Sequence, residues 1–226
     1  MQVSANYFHA KQPANIDEVL AQLGRLERDL PNLGLPLLRN FNYTYLIITR
    51  NVRRAARDGH FSDRTFLNTF DCRFAQYYLT ALRHYLRQEA VAPAWQVAFQ
   101  QAQTECCTPF VLMALGVNAH VNNDIPLALL DCGAKARHHD DYHRVNGIIE
   151  VSLAEVIEEL DAAGNLADPK RSLLTPPYKV VMKQLIKTWR DNAWQSFESL
   201  KRQQLSVDDI EQAAHKMANR LLALPL

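Results

Sequence analysis

Apolar residues recur three and four positions apart along most of the chain, the period of an α-helix, and strand-like alternation is almost absent. The pattern predicts about eight helices, near 16–30, 36–58, 62–90, 93–105, 109–131, 139–162, 176–203 and 207–223. Local punctuation supports these limits. Asn15 is the expected cap of the first helix, with Asp17 and Glu18 in its first turn, and Pro31 stops it. Pro36, Pro93, Pro109 and the Pro176–Pro177 pair stand at helix starts, and Gly59 and Gly164 stand at helix ends. Ser62 is the expected cap of the third helix, and Ser206 with Asp209 forms a capping pair for the eighth. The polar connection 164–175 is short and no repeat interrupts the pattern, so the expectation is one all-α domain, a bundle around a central apolar helix near 109–131. Residues 1–14 are expected to be an extended N-terminal segment.

The chain has 226 residues, 48% hydrophobic and 22% charged, enough for one sizeable core. Twenty-five Lys and Arg balance 24 Asp and Glu, which gives no case for a nucleic-acid partner. No apolar run reaches the roughly 18 residues of a transmembrane helix, and the start lacks the basic and apolar regions of a secretion signal. Cytoplasmic location is therefore the expectation. Cys72, Cys106, Cys107 and Cys132 form no CxxC motif, so they read as reduced thiols. The vicinal Cys106–Cys107 pair leaves a strained redox disulfide as the alternative.

Five arginines (Arg39, Arg50, Arg53, Arg54, Arg57) crowd residues 30–57, and seven acids crowd 140–161. The arginines read either as an anion-binding face or, more simply, as a solvated face opposite the acidic helix. Lys179, Lys183, Lys187 and Arg190 share one face of the seventh helix, and this also reads as solvated. Trp95, Trp189 and Trp194 sit among apolar neighbours and read as core or pocket walls.

Ionisable groups on apolar stripes carry the functional information, because a buried charge needs a partner. The fifth helix, PFVLMALGVNAHVNNDIPLALLD, is apolar nearly all round, yet it holds Asn118, His120, Asn122, Asn123 and Asp124. His120 and Asp124 are four apart and share a face. Pro126 deprives the carbonyl of Asn122 of its helical donor, so a kink is expected there. Asp71 lies on the Leu67–Phe70–Phe74–Tyr78 stripe of the third helix. A third cluster, RHHDDYHRVN at 137–146, opens the sixth helix with the i, i+4 pair His139 and His143, with Asp141 facing inward and with Asn146. The link between the fifth and sixth helices is short, so the two are expected to be antiparallel neighbours. His120, Asp124 and part of the 138–143 cluster would then converge, with Asp71 as a fourth member.

Imidazole and carboxylate groups of this kind suit one divalent transition metal: zinc, iron or manganese. The candidate ligands are His120, Asp124, Asp71, Asp141, His139 and His143. No HExxH, ExxH or Cys₂His₂ spacing is present, nor any GxSxG, Walker or GxGxxG motif. The same residues would equally make a metal-free polar pocket or a structural network. Cys132 lies near the histidines in sequence, which leaves a Cys–His pair open.

The block LGVNAHVNNDIPLAL, residues 115–129, resembles the hallmark of a bacterial family of uncharacterised helical proteins, Gly-x-Asn-Ala-His-x-Asn-x-Asp-Leu-Pro-Leu-Ala. Gly116, Asn118, Ala119, His120, Asn122, Asp124, Pro126, Leu127 and Ala128 match it, with Ile125 in place of Leu. Asp71-x-x-Phe74-Ala75-x-x-Tyr78 and Asp141-x-x-x-x-Asn146 resemble its accompanying motifs. The family carries no established activity, so the resemblance implies a site and not a mechanism. A looser likeness is to helical zinc-dependent phospholipases C, through His120, Asp124 and Pro126. Leu129 or Leu130 stands where a later His of that family would be.

Two functions follow as expectations. One is a metal-dependent hydrolase acting on a phosphoester or other ester, with His120, Asp124 and Asp71 catalytic. The other is a non-catalytic module that holds a small molecule in a metal-free pocket. Asn118, Asn122, Asn123, Tyr78 and Asn146 are binding candidates in either.

Overall fold

The computed structural model describes residues 11–104, 107–162 and 176–223. Cys106, Gly164, the 164–175 connection and most of the expected N-terminal segment lie outside the described residues. Among the described residues the protein is an all-α bundle without strands.

The helices begin and end for the expected reasons. Helix α1 (Ile16–Asp29) is capped by Asn15, whose Oδ1 accepts the Glu18 N–H at 2.9 Å. A 3₁₀ turn (Pro36–Leu38) leads into α2 (Arg39–Arg57). Helix α3 (Arg64–Leu86) is capped by Asp63, one residue later than the Ser62 expected, because the Asp63 carboxylate accepts the Phe66 N–H at 2.9 Å. Ser62 instead gives its backbone N–H to Asp141 at 2.9 Å. Helix α4 (Pro93–Thr104) and helix α5 (Pro109–Asn118) both start at proline. Helix α8 (Pro176–Lys201) precedes α9 (Val207–Leu222), which opens on the reciprocal Ser206–Asp209 capping box.

The expected break before Pro126 takes a definite form. Residues Ala119–Asp124 make a π-helical segment, and α6 (Ile125–Asp131) continues from it. In such a segment the backbone bonds reach five residues back instead of four. Pro126 has no N–H to give the Asn122 carbonyl, so the α-helical ladder cannot run through unbroken. The chain widens by a residue and goes on, where a kink was expected.

Helix α6 ends at Gly133, whose φ of +60° lets Ala134 N–H reach back to Leu129 O at 3.0 Å. A 3₁₀ turn (Ala136–His138) then redirects the chain into α7 (His139–Ala162). The consequence corrects an expectation. Helix α6 packs against α8, and α7 packs against α2, so the fifth and sixth predicted helices are not the neighbours that their short link suggested.

Helix α5 and the π segment run through the middle, with Ala114, Leu115, Asn118 and Ala119 fully buried. Asn118 Nδ2 donates to Ala214 O at 2.9 Å and ties the centre to α9. The arginines of α2 pair with α1: Arg39 Nε lies 2.9 Å from Glu27 Oε1, and Arg53 meets Asp17. These two therefore brace the first two helices, while Arg54 lines a groove together with Glu155 of the acidic helix. No helix among the described residues is long and apolar enough to cross a membrane.

Gly116 marks the tightest approach. A Cβ there would lie 2.7 Å from Phe41 Cγ, and Phe41 is itself buried. Gly116→Ala should therefore destabilise the fold by about 1–3 kcal/mol through overpacking. Urea unfolding followed by circular dichroism measures this.

Candidate functional site

The π segment presents His120 and Asp124 to the core as a bonded pair, with His120 Nδ1 3.0 Å from Asp124 Oδ2. They are 3% and 1% exposed, so every partner matters. Trp95 Nε1 from α4 bridges both Asp124 oxygens at 3.1 and 3.0 Å, and Asn123 Nδ2 donates to Oδ1 at 2.9 Å. Three donor groups thus surround one carboxylate. Burial pushes Asp124 up and His120 down, and their mutual bond opposes both shifts. The donor set assigns the proton of the pair to His120 Nδ1. His120 Nε2 is then a bare acceptor, sealed from solvent and without a partner.

Aromatic rings enclose the imidazole. Phe74 stacks on it at 3.6 Å between centroids and 11° between planes, and Tyr45 and Phe41 meet it edge-on at 4.5 and 5.7 Å. Tyr78 lies further out at 6.0 Å and stacks against Trp95.

His120 lines a cavity of about 70 Å³ between α2, α3, the central rod, α7 and α8. Its walls are mainly apolar, with Val117, Val145, Ile149 and Ile186 among them, and its polar members include Asp71, Tyr45, Thr44, Thr49 and Arg190. Asp71 Oδ2 is also sealed and unpartnered. Burial pushes the Asp71 carboxyl up to about 7, against the pull of the Arg190 charge. Burial likewise raises Tyr45, with the Asp71 charge adding to it.

Arg190 was read as part of a solvated face, and the structure corrects this: it is 3% exposed. Its Nε donates to Asn146 Oδ1 at 2.6 Å, its Nη2 donates to Tyr142 O at 3.0 Å, and its guanidinium lies 4.2 Å from the centre of the Tyr142 ring. The Tyr142 hydroxyl returns a bond to Arg190 O at 2.7 Å. A signal was present in the sequence, since Arg190 falls four after Ile186 and four before Trp194 on the buried stripe of α8.

The other candidates lie elsewhere. Asp141 is 1% exposed and faces inward as expected, but its two oxygens accept the N–H groups of Ser62 and Asp63 at 2.9 and 2.7 Å. It anchors the start of α3 and also pairs with Arg144. His139 and His143 bond to each other through their Nε2 atoms at 2.8 Å, beside Asp191 and Trp194. Neither lines the His120 cavity. Asn146 contributes by holding Arg190. Asn122 Nδ2 donates to Asn118 Oδ1 at 2.9 Å, so these two serve the bundle and not the cavity. Cys132 is pushed up to about 11 by burial and Cys72 to about 12, so neither is a ready thiolate.

A transition metal was expected to gather three or more of these groups. Among the described residues no three His, Cys, Asp or Glu side chains are grouped to hold one. Asp124 already receives three donors, and Asp141 receives two backbone N–H groups. The residues present do not fit the expected centre.

Fold and site together define a helical protein with a small, mainly apolar cavity into which His120, Asp71 and Arg190 bring polar groups. The chain belongs to a family of unknown function, DUF5995, which it matches over residues 16–224. Comparison with curated proteins and with solved structures gave no match.

Asp71 gives a pH prediction. Its carboxyl sits near 7 in the folded protein against an ordinary 3.8, so between these values the folded state holds more proton than the unfolded state. The stability due to this group is full below about pH 4 and is lost as pH rises towards 7. Asp71→Asn should flatten that fall in a pH series of unfolding midpoints, and an unchanged slope would exclude the assignment.

Proposed function

We propose that the protein binds a small molecule in the Asp71–His120–Arg190 cavity, a polar pocket that works without a metal. One observation carries this reading: two sealed polar atoms, His120 Nε2 and Asp71 Oδ2, lack partners on the walls of a single cavity. Each unmet buried group costs about 1–3 kcal/mol, so a molecule that meets both gains on each. His120 offers an acceptor. Asp71 offers a donor when protonated and an acceptor when ionised. Arg190 supplies positive charge behind them. A short carboxylic acid or amide answers this set, and about 70 Å³ admits a few heavy atoms.

A second reading has a specific observation in its favour. Asp124 fixes the His120 tautomer with Nε2 free, the arrangement of a general base. In a hydrolase acting on a phosphoester or other ester, Nε2 would take the proton of an attacking water, and protonated Asp71 would give one to the leaving oxygen. The zinc, iron or manganese version of that reading, and with it the likeness to zinc-dependent phospholipase C, finds no support in the donor set.

Thermal shift with short carboxylic acids, amides and alcohols tests the binding reading. An acid or an amide should raise Tm saturably, and His120→Gln and Asp71→Asn should each abolish the rise while the circular dichroism stays helical. Hydrolysis of 4-nitrophenyl acetate that disappears in His120→Gln would favour the second reading. About one equivalent of zinc, iron or manganese in the purified protein, lost in His120→Ala, would overturn the metal-free pocket.

A further inference from the structure

The π segment serves a second pocket, which shares no lining residue with the first. It has a volume of about 370 Å³ and lies among α3, α4, α9 and the 90–92 connection. Asn123 and Asp124, 2% and 1% exposed, are among its lining residues. Asn123 Nδ2 is fixed on Asp124 Oδ1 at 2.9 Å, which sets the amide's orientation. Asn123 Oδ1, at the other end, is sealed and has no partner.

The remaining polar groups of this pocket leave acceptors unspent and few donors. The Trp95 N–H is committed to Asp124, and the Tyr77 hydroxyl donates to Asp131 Oδ2 at 2.7 Å. Thr80 Oγ1 accepts from Arg83 Nη2 at 2.8 Å. Glu211, half-buried on α9, forms no hydrogen bond or ion pair among the described residues. Burial and the neighbouring Asp208 push its carboxyl above the usual range, the condition of an acid that lacks a cation. His84 lines the pocket and lies 3.7 Å from Glu89, and no Lys or Arg is among the lining residues.

We propose that this second pocket binds a small organic ammonium ion, a primary amine with a short apolar tail. Its N–H would meet Asn123 Oδ1, its charge would face Asp124 and Glu211, and its tail would lie on Trp95, Tyr77 and Leu127. An organic cation suits the aromatic wall. A calcium or magnesium ion suits it less, because such ions need about six oxygens and those of Asp124, Tyr77 and Thr80 are already engaged. The proposal does not depend on the occupant of the first cavity.

Trp95 carries its own reporter, because its indole N–H rests on Asp124 in the lining of the pocket. The test is a titration of ¹⁵N-labelled protein with butylammonium chloride, with butanol and sodium butyrate in parallel at matched ionic strength. The indole resonance is assigned with Trp95→Phe. Butylammonium should move it saturably, and butanol and butyrate should not. Glu211→Gln and Asn123→Leu should each weaken binding by about tenfold, the worth of one hydrogen bond to a charged group. Glu211 is only half-buried and bonds to nothing among the described residues, so its variant decides the matter if Asn123→Leu fails to fold. The absence of a saturable shift up to about 100 mM, an equal response to butanol, or unaltered affinity in Glu211→Gln would each overturn the proposal.

Discussion

The buried carboxylate of Asp124 is the constraint on which the centre of this protein depends. An ion in the core is tolerated only when donors replace the water it has lost. Here the donors come from two elements, Trp95 on α4 and His120 and Asn123 on the π segment. The arrangement needs the wide turn. With a regular ladder, the chain before Pro126 would leave the Asn122 carbonyl without its donor and would carry Asn123 and Asp124 round to other directions. Local backbone irregularity and buried charge are therefore one feature of this chain. The π segment brings the donors to Asp124, and the satisfied carboxylate offsets what the irregular turn costs.

From that anchor the polar groups of the core divide into those that hold and those that wait. Asp141 fastens α3, Asn118 fastens α9, and Arg190 and Tyr142 lock α8 to α7 by bonds in both directions. All of these are paired. Against that background, three of the sealed atoms that lack a partner among the described residues stand out by position, because His120 Nε2 and Asp71 Oδ2 share one cavity and Asn123 belongs to the lining of the other pocket. Three polar atoms left unmet beside cavities, in a core whose other anchoring groups are paired, are the feature on which the proposed binding rests.

The fold was largely legible because its signals are local. Asn15, Pro36, Pro93, Pro109 and the Ser206–Asp209 box each mark a helix end within a few residues of the chain itself. The His120–Asp124 pair was legible for the same reason, as was a break before Pro126. The form of that break was not, since no local period distinguishes a π turn from a kink. The convergence expected of His139, His143 and Asp141 failed because the Gly133 turn and the 3₁₀ segment after it send α7 to pack on α2. Trp95, 29 residues from Asp124, and Arg190, on the last long helix but one, join the site through tertiary packing alone. Charged residues at four-residue spacing on a surface usually face solvent, and that expectation placed Arg190 outside when its interval from Ile186 and Trp194 put it within.

The charge of the first cavity follows from the same reasoning. Burial and the nearby Arg190 both disfavour a proton on His120 Nε2, so the imidazole is neutral and Arg190 is the fixed cation. Asp71 is then the variable member. Ionised, it balances Arg190 and the cavity is neutral; protonated, it leaves a net positive charge and gains a donor. An anionic occupant would interact better with the second state, and by linkage its arrival would raise the proton affinity of Asp71 further. A neutral donor would interact better with the first. Under the proposed binding, the occupant and the proton on Asp71 would thus be thermodynamically coupled, and the sign of that coupling would separate an acid from an amide in the cavity.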